Sequence, residues 1–353
     1  MEDPDKVIEV FDNVPLTEPL PPIAPVGSAD LNQWLSGFLQ NPVFGSTSRP
    51  AFKAIVGPTN TGGVDYTDIQ QAINYVNDTG GGLVFIRAGS YRLLSDLTLY
   101  SNVGLVGEDG TILVSGSGVG TLKIEGTFVT STGSSVSLVN GSVNVGGSGT
   151  NFMGDGIASG DSFYIKGVPY TVDTVVSNTS LNLTRAYQGR TTASNVGDYY
   201  VTRPKKTCLV RNIKFQSDTS TNILSLKYTE DCLIEFCIFD KYNYAVSITN
   251  SFNYLVRNCR AGSGVVGFVV NPPGGTTSLI TSGVIFQCTS VANSSYGFYV
   301  YRAKSVTIAN CWAVSNNSYG IFIDGGFDHL IINNEANNNN STGIYLEGNS
   351  GSQ

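Results

Sequence analysis

The sequence predicts an all-β solenoid, a parallel β-helix with coils of about 23 residues, an N-terminal capping helix and an inserted antiparallel β-domain. Composition is the first observation behind this reading. Of 353 residues only 13% are charged and 41 are Gly, while Tyr (18) and Phe (17) are abundant. A helical bundle needs more Glu, Lys, Ala and Leu, and a disordered chain would not carry 41% apolar and 10% aromatic residues. Short β-branched and aromatic runs bounded by Gly, Ser and Asn are the second observation. An internal repeat through residues 208–348 is the third.

Residues 1–55 differ from the rest. Eight of the 13 prolines lie at or before Pro50, and Glu2, Asp3, Asp5, Glu9, Asp12 and Glu18 face only Lys6 in the first twenty positions. Such a segment cannot build a core and is expected to run extended. Within it Leu31, Trp34, Leu35, Phe38 and Leu39 follow i, i+3, i+4, i+7, i+8, one face of a short helix. That stripe is expected either to pack on its own chain or to dock on a partner.

Residues 56–119 are expected to hold the cap and first coils. Ile69, Ala72, Ile73 and Val76 have helical spacing, with Thr67 or Asp65 as N-cap and Gly80-Gly81-Gly82 as the stop. Strands follow at Leu83–Arg87, Tyr91–Leu94, Leu97–Tyr100, Val103–Val106 and Thr111–Val114. Residues 120–203 read as the inserted domain, because strand-like runs there are split by hairpin signals such as Asn140-Gly141.

Residues 204–353 are expected to form the remaining coils. Ile213, Cys237, Cys259, Cys288, Cys311 and Glu335 fall in one column, spaced 22 to 29 residues apart. Three places earlier stand Val210, Ile234, Val256, Ile285, Ile308 and Ile332, all β-branched. One place earlier stand Asn212, Phe236, Asn258, Gln287, Asn310 and Asn334, read as an amide ladder at a turn. Stacked inside a solenoid the cysteines, with Cys208 and Cys232 in a second column, are core residues; the Cys-x-x-Cys spacing of a metal or redox site is missing. Leu209, Leu233, Leu255, Val284, Thr307 and Ile331 alternate outward, an apolar stripe that predicts a covering copy of the same chain.

The cap segment carries a family resemblance. Val64-Asp65-Tyr66-Thr67-Asp68-Ile69-Gln70-Gln71-Ala72-Ile73, Gly81-Gly82-Leu83-Val84-Phe85-Ile86, Gly89-Ser90-Tyr91 and Leu97 to Gly107 resemble the start of pectate-lyase-like right-handed β-helices, the family of phage tailspikes and many polysaccharide depolymerases. Arg87-Ala88-Gly89 departs from the usual Pro before that Gly. The insert resembles small β-domains of phage tail proteins. The resemblance implies a right-handed helix and a virion-associated, tailspike-like homotrimer. Residues 1–55 would dock it to tail or capsid proteins, and its β-helix would face host polysaccharide. A secreted or surface depolymerase and a purely structural tail component are the alternatives.

Charge and chemistry narrow the function. A net charge of −7 disfavours nucleic acid, no apolar run is long enough to span a membrane, and the acidic N-terminus lacks a secretory signal, so assembly is expected in the host cytoplasm. A single His leaves little room for His-based catalysis. Lys227, Thr249, Asn271, Tyr301, Asp324 and Glu347 share one outward column, which makes Asp324 and Glu347 the best carboxylate pair for glycoside hydrolysis; Asp328 and Glu335 are a weaker pair. Arg211, Glu235 and Arg257 stack as a salt-bridge ladder. Neither a calcium cluster nor any cofactor is expected. Tyr242, Tyr244, Tyr254, Tyr296, Tyr299, Tyr301 and Tyr319 crowd one exterior face, suited to a glycan or a protein partner, with Tyr299 and Tyr301 as the expected glycan contacts.

Overall fold

The computed structural model describes residues 52–59, 62–116, 118–130, 135–165, 168–196, 199–218, 221–271 and 281–348. The chain divides into two units, residues 1–50 and 51–353. The first, with Leu31, Trp34, Leu35, Phe38 and Leu39, lies outside the described residues.

The second unit is a parallel β-helix of three sheets. A typical coil runs Leu209–Arg211 in sheet A, Lys214–Ser217 in sheet B and Leu224–Lys227 in sheet C, and the next coil repeats this at Leu233–Glu235, Ile238–Asp240 and Tyr244–Thr249. Sheets B and C each have eight strands and sheet A has eleven. Phe52–Val56 pairs with Gly82–Ile86 and begins sheet A, so the solenoid starts inside the segment expected to be the arm. Helix Ile69–Asp78 buries Ile69, Ala72, Ile73 and Val76 in the solenoid core. Its N-cap is Asp68, whose carboxylate accepts from Gln71 N at 2.8 Å. Asp65 instead holds Ile55 N at 2.8 Å.

Alternation decides what fills the interior. Val210, Ile234, Val256, Ile285 and Ile308 are in register across five strands and buried. The next rung is Ile331, not Ile332. Leu330-Ile331-Ile332 is apolar throughout, so alternation cannot be read from it, and the last coil sits one residue from its expected register. Trp312 accordingly pairs with Glu335, and Asn334 succeeds Cys311 in the repeat column. All six cysteines are buried free thiols.

From Leu209 onward each passage from sheet A to sheet B turns on one left-handed residue: Asn212, Phe236, Asn258, Gln287, Asn310 and Asn333, with φ between 51° and 56°. Asn recurs there because it tolerates that conformation better than other side chains. The continuous amide ladder lies elsewhere, in the turn from sheet B to sheet C. Asn293 Nδ2 donates to Asn316 Oδ1 (2.8 Å) and Asn316 Nδ2 to Asn339 Oδ1 (2.9 Å).

The inserted domain is narrower than residues 120–203. Leu122–Glu125 pairs with Leu97–Thr98 and Leu224–Lys227 and belongs to sheet C. The insert begins at Thr127, which pairs with Arg203 at its far end, so both ends meet. Its eight strands form one sheet around a core of its own that includes Phe152, Phe163, Tyr199 and Val201. It is seated on the solenoid by Tyr164, whose hydroxyl donates to Glu230 Oε1 (2.9 Å), with Lys206 on the other carboxylate oxygen (3.0 Å).

The outward apolar column does not behave as expected. Leu209, Leu233 and Leu255 are only 3%, 2% and 1% exposed within a single chain, and Ile331 points inward against the core. Val284 and Thr307 are half-buried. Alternation gives the direction of a side chain but not what lies across from it, and the insert already reaches the start of this sheet at Glu230. The stripe therefore does not call for a second copy.

Candidate functional site

The outer face of sheet C changes character along the solenoid. Its first outward column runs Ser225, Ser247, Val269, Tyr299, Phe322 and Tyr345, in register on successive coils. Small polar residues thus give way to rings. The second column holds Lys227 beside Thr249 and, further on, Tyr301, Asp324 and Glu347 in register.

The rings form a cluster of their own outside the core. Val266, Val269, Tyr299 and Phe322 are its buried floor, with Tyr244, Val265, Tyr296, Tyr301 and Tyr319 packed around them. Tyr299 stacks on Phe322 with centroids 5.1 Å apart. Tyr296, Tyr319 and Tyr345 make a parallel row, at 5.7 Å and 4.9 Å. The repeat brings these rings together: Tyr299, Phe322 and Tyr345 fall a period apart on adjacent strands about 4.8 Å apart, Tyr296 and Tyr319 fall a period apart on successive turns, and Tyr345 meets Tyr319 across the two columns.

Tyr299 was expected to grip a glycan directly, yet it is 7% exposed. Neighbouring rings cover it, and its hydroxyl donates to Asp324 Oδ2 at 3.0 Å. Burial pushes that hydroxyl well above the usual tyrosine range, and the Asp324 carboxylate pushes it further, so it stays protonated as a donor. Tyr299 thus orients Asp324. The accessible rings are Tyr301, carrying the Arg302 guanidinium 5.0 Å from its centroid, and the row of Tyr296, Tyr319 and Tyr345. Tyr242 and Tyr254, expected on the exterior, are buried in the core.

Asp324 and Glu347 stand on adjacent rungs as the column count predicts. Asp328 lies in the turn into sheet A and Glu335 in sheet B, where it accepts from Trp312 Nε1 at 3.2 Å, so they form no pair. Phe322 and Tyr345 escaped the sequence reading, although continuing the Tyr299 column by one period each would have found them. Glu235 is fully buried between Arg211 and Arg257 (2.7 Å to Nε of the latter), the structural ladder expected. Among the described residues no group of three or more His, Cys, Asp or Glu is placed to hold a metal ion, and no helix is long and apolar enough to cross a membrane.

A face of this kind can lay ring surfaces against the C–H faces of sugars, while carboxylates accept bonds from hydroxyls. Comparison with curated proteins finds no match. Among solved structures the chain is similar to the Gp54 tailspike of Acinetobacter baumannii bacteriophage AP22 in complex with A. baumannii capsular saccharide, with 15% identity over 76% of this chain and 55% of that one and a TM-score of 0.41. It is similar to the Azotobacter vinelandii mannuronan C-5 epimerase AlgE6 A-module, with 16% identity, 79% and 74% coverage and a TM-score of 0.35. The tailspike gp61 of Pseudomonas phage phi297 gives 15%, 75% and 51%, and 0.41. The chain spans about half the length of the two tailspikes. Residues 200–353, which hold sheets A to C from Leu209 onward, match the family model of the right-handed β-helix region.

Proposed function

We propose that this chain is a tailspike-like, virion-associated protein that binds a host-surface polysaccharide along the outer face of sheet C. The observation that carries the reading is the row of stacked rings Tyr296, Tyr319 and Tyr345, with Tyr301 alongside, beside Asp324 and Glu347. Attachment to tail or capsid proteins is assigned to residues 1–50, on their acidic, Pro-rich composition and the Leu31–Leu39 stripe. A homotrimer no longer draws support from the Leu209, Leu233 and Leu255 column, and the reading does not depend on one.

Binding of capsular or lipopolysaccharide fractions to the native chain and to Tyr301→Ala/Tyr319→Ala tests the reading. Ring contacts contribute ~0.5–1.5 kcal/mol each beyond buried area, so the double variant should lose about tenfold or more in affinity. It should keep its far-UV circular dichroism, because both rings lie outside the solenoid core. Unchanged affinity would move binding off this face, and no binding by the native chain would leave the structural-component reading. A glycoside hydrolase is the second reading, favoured by the register of Asp324 with Glu347.

A further inference from the structure

We propose that a cleft at the turn from sheet B to sheet C is a second subsite of the same track, built for a sugar unit bearing a carboxylate. The inference rests on the glycan-binding reading above and adds a ligand class to it. The cleft has a volume of about 360 Å³ and is lined by Asp218, Lys241, Tyr242, Ser263, Val265 and Ser294, with Gly264 between them.

Its charges are unequal in availability. Asp218 is paired with Arg92 at 2.9 Å, which partly offsets its charge. The Lys241 ammonium pairs with no carboxylate among the described residues, and Lys241 is exposed. Ser263 and Ser294 are exposed too, and each spends its backbone N–H on the solenoid, donating to Val291 O (3.3 Å) and Gly264 O (2.8 Å). One available cation beside two hydroxyls suits an anionic group attached to a polyol.

The floor is fixed. Tyr242 is buried and its hydroxyl donates to Asn293 Oδ1 at 2.6 Å, at the head of the amide ladder. A Cβ on Gly264 would stand 2.0 Å from the Tyr242 ring, so only glycine lets the backbone pass this close. The cleft also joins the aromatic face: Val265 lines the one and packs against the other. A polymer lying on Tyr296 and Tyr301 would reach Lys241 without leaving the surface.

The probes are a hexuronate oligomer and the same oligomer with its carboxyl groups reduced to alcohols, titrated calorimetrically at low salt. The acid form should bind about fivefold more tightly, the range of an exposed ion pair, and the margin should shrink as salt is added. Lys241→Met should abolish the difference and leave binding of the reduced form unchanged; Lys241→Arg should retain it. Equal binding of both forms to the native chain, or a preference that survives Lys241→Met, overturns the subsite and leaves the glycan face standing. The subsite also falls alone if neither oligomer binds while host polysaccharide still binds through Tyr301 and Tyr319. Absence of all three interactions overturns the glycan-binding reading itself.

Discussion

Charges and amides on adjacent rungs hold neighbouring coils together at the residue scale. Glu235 has no exposed side-chain surface and bridges Arg211 below to Arg257 above. Removing it leaves two guanidinium groups facing each other, Arg257 largely buried and Arg211 partly exposed, so the loss should approach the lower end of the ~3–5 kcal/mol of a broken buried pair. Glu235→Ala should therefore lower the urea midpoint strongly, and Glu235→Gln, which can still accept one bond, should lower it less. A change under about 1 kcal/mol would mean that the triad is solvated in practice. Spacings of 24 and 22 residues make this triad legible in the sequence. The amide ladder of Asn293, Asn316 and Asn339 is not legible, because Asn212, Asn258 and Asn310 recur at similar spacing for a different reason, their left-handed turns. Periodicity reports that a position is special without reporting which property of Asn is used there.

Whole elements show how a solenoid carries a guest. The insert leaves sheet C after Glu125 and returns at Arg203, and because Thr127 pairs with Arg203 the gap it spans is one strand wide. It has its own core, with Phe163 stacked on Tyr199 at 4.9 Å. Replacing residues 127–203 by a short Gly linker should leave a folded β-helix, since inserted units with adjoining ends are tolerated. Far-UV circular dichroism and a protease-resistant fragment covering residues 204–348 are the readouts; loss of both would make the insert part of the solenoid's folding unit. Glu230 loses Tyr164 in that variant but keeps Lys206, so its carboxylate is not stranded. Hairpin signals such as Asn140-Gly141 reveal the insert in the sequence. Its start is not legible there, because Leu122–Glu125 of the solenoid and Thr127–Thr130 of the insert are equally strand-like in composition.

For the molecule as a whole, the question is whether the glycan face also performs chemistry. Column counting places Asp324, Glu347, Tyr299 and Tyr301 on one face because it fixes direction. It does not reveal that neighbouring rings bury Tyr299, since burial depends on what adjacent coils contribute. Catalysis needs more than direction: carboxylates must be held to within about 0.5 Å by supporting side chains. Asp324 has such support from Tyr299. Glu347 lies on the strand Ile344–Glu347, whose four residues are all exposed; even Ile344 and Leu346, which continue the inward column of Ile321 and Ile323, are 41% and 66% exposed. With a side-chain hydrogen bond holding Asp324 and none holding Glu347 among the described residues, the pair should bind sugar hydroxyls without cleaving the chain. Incubating the protein with host polysaccharide should therefore release no new reducing ends. Reducing ends that disappear in Asp324→Asn and in Glu347→Gln would instead establish a glycoside hydrolase. The outcome at the anomeric carbon would then report whether the two carboxyl groups close to ~5–5.5 Å, for retention, or stand ~6.5–9.5 Å apart, for inversion.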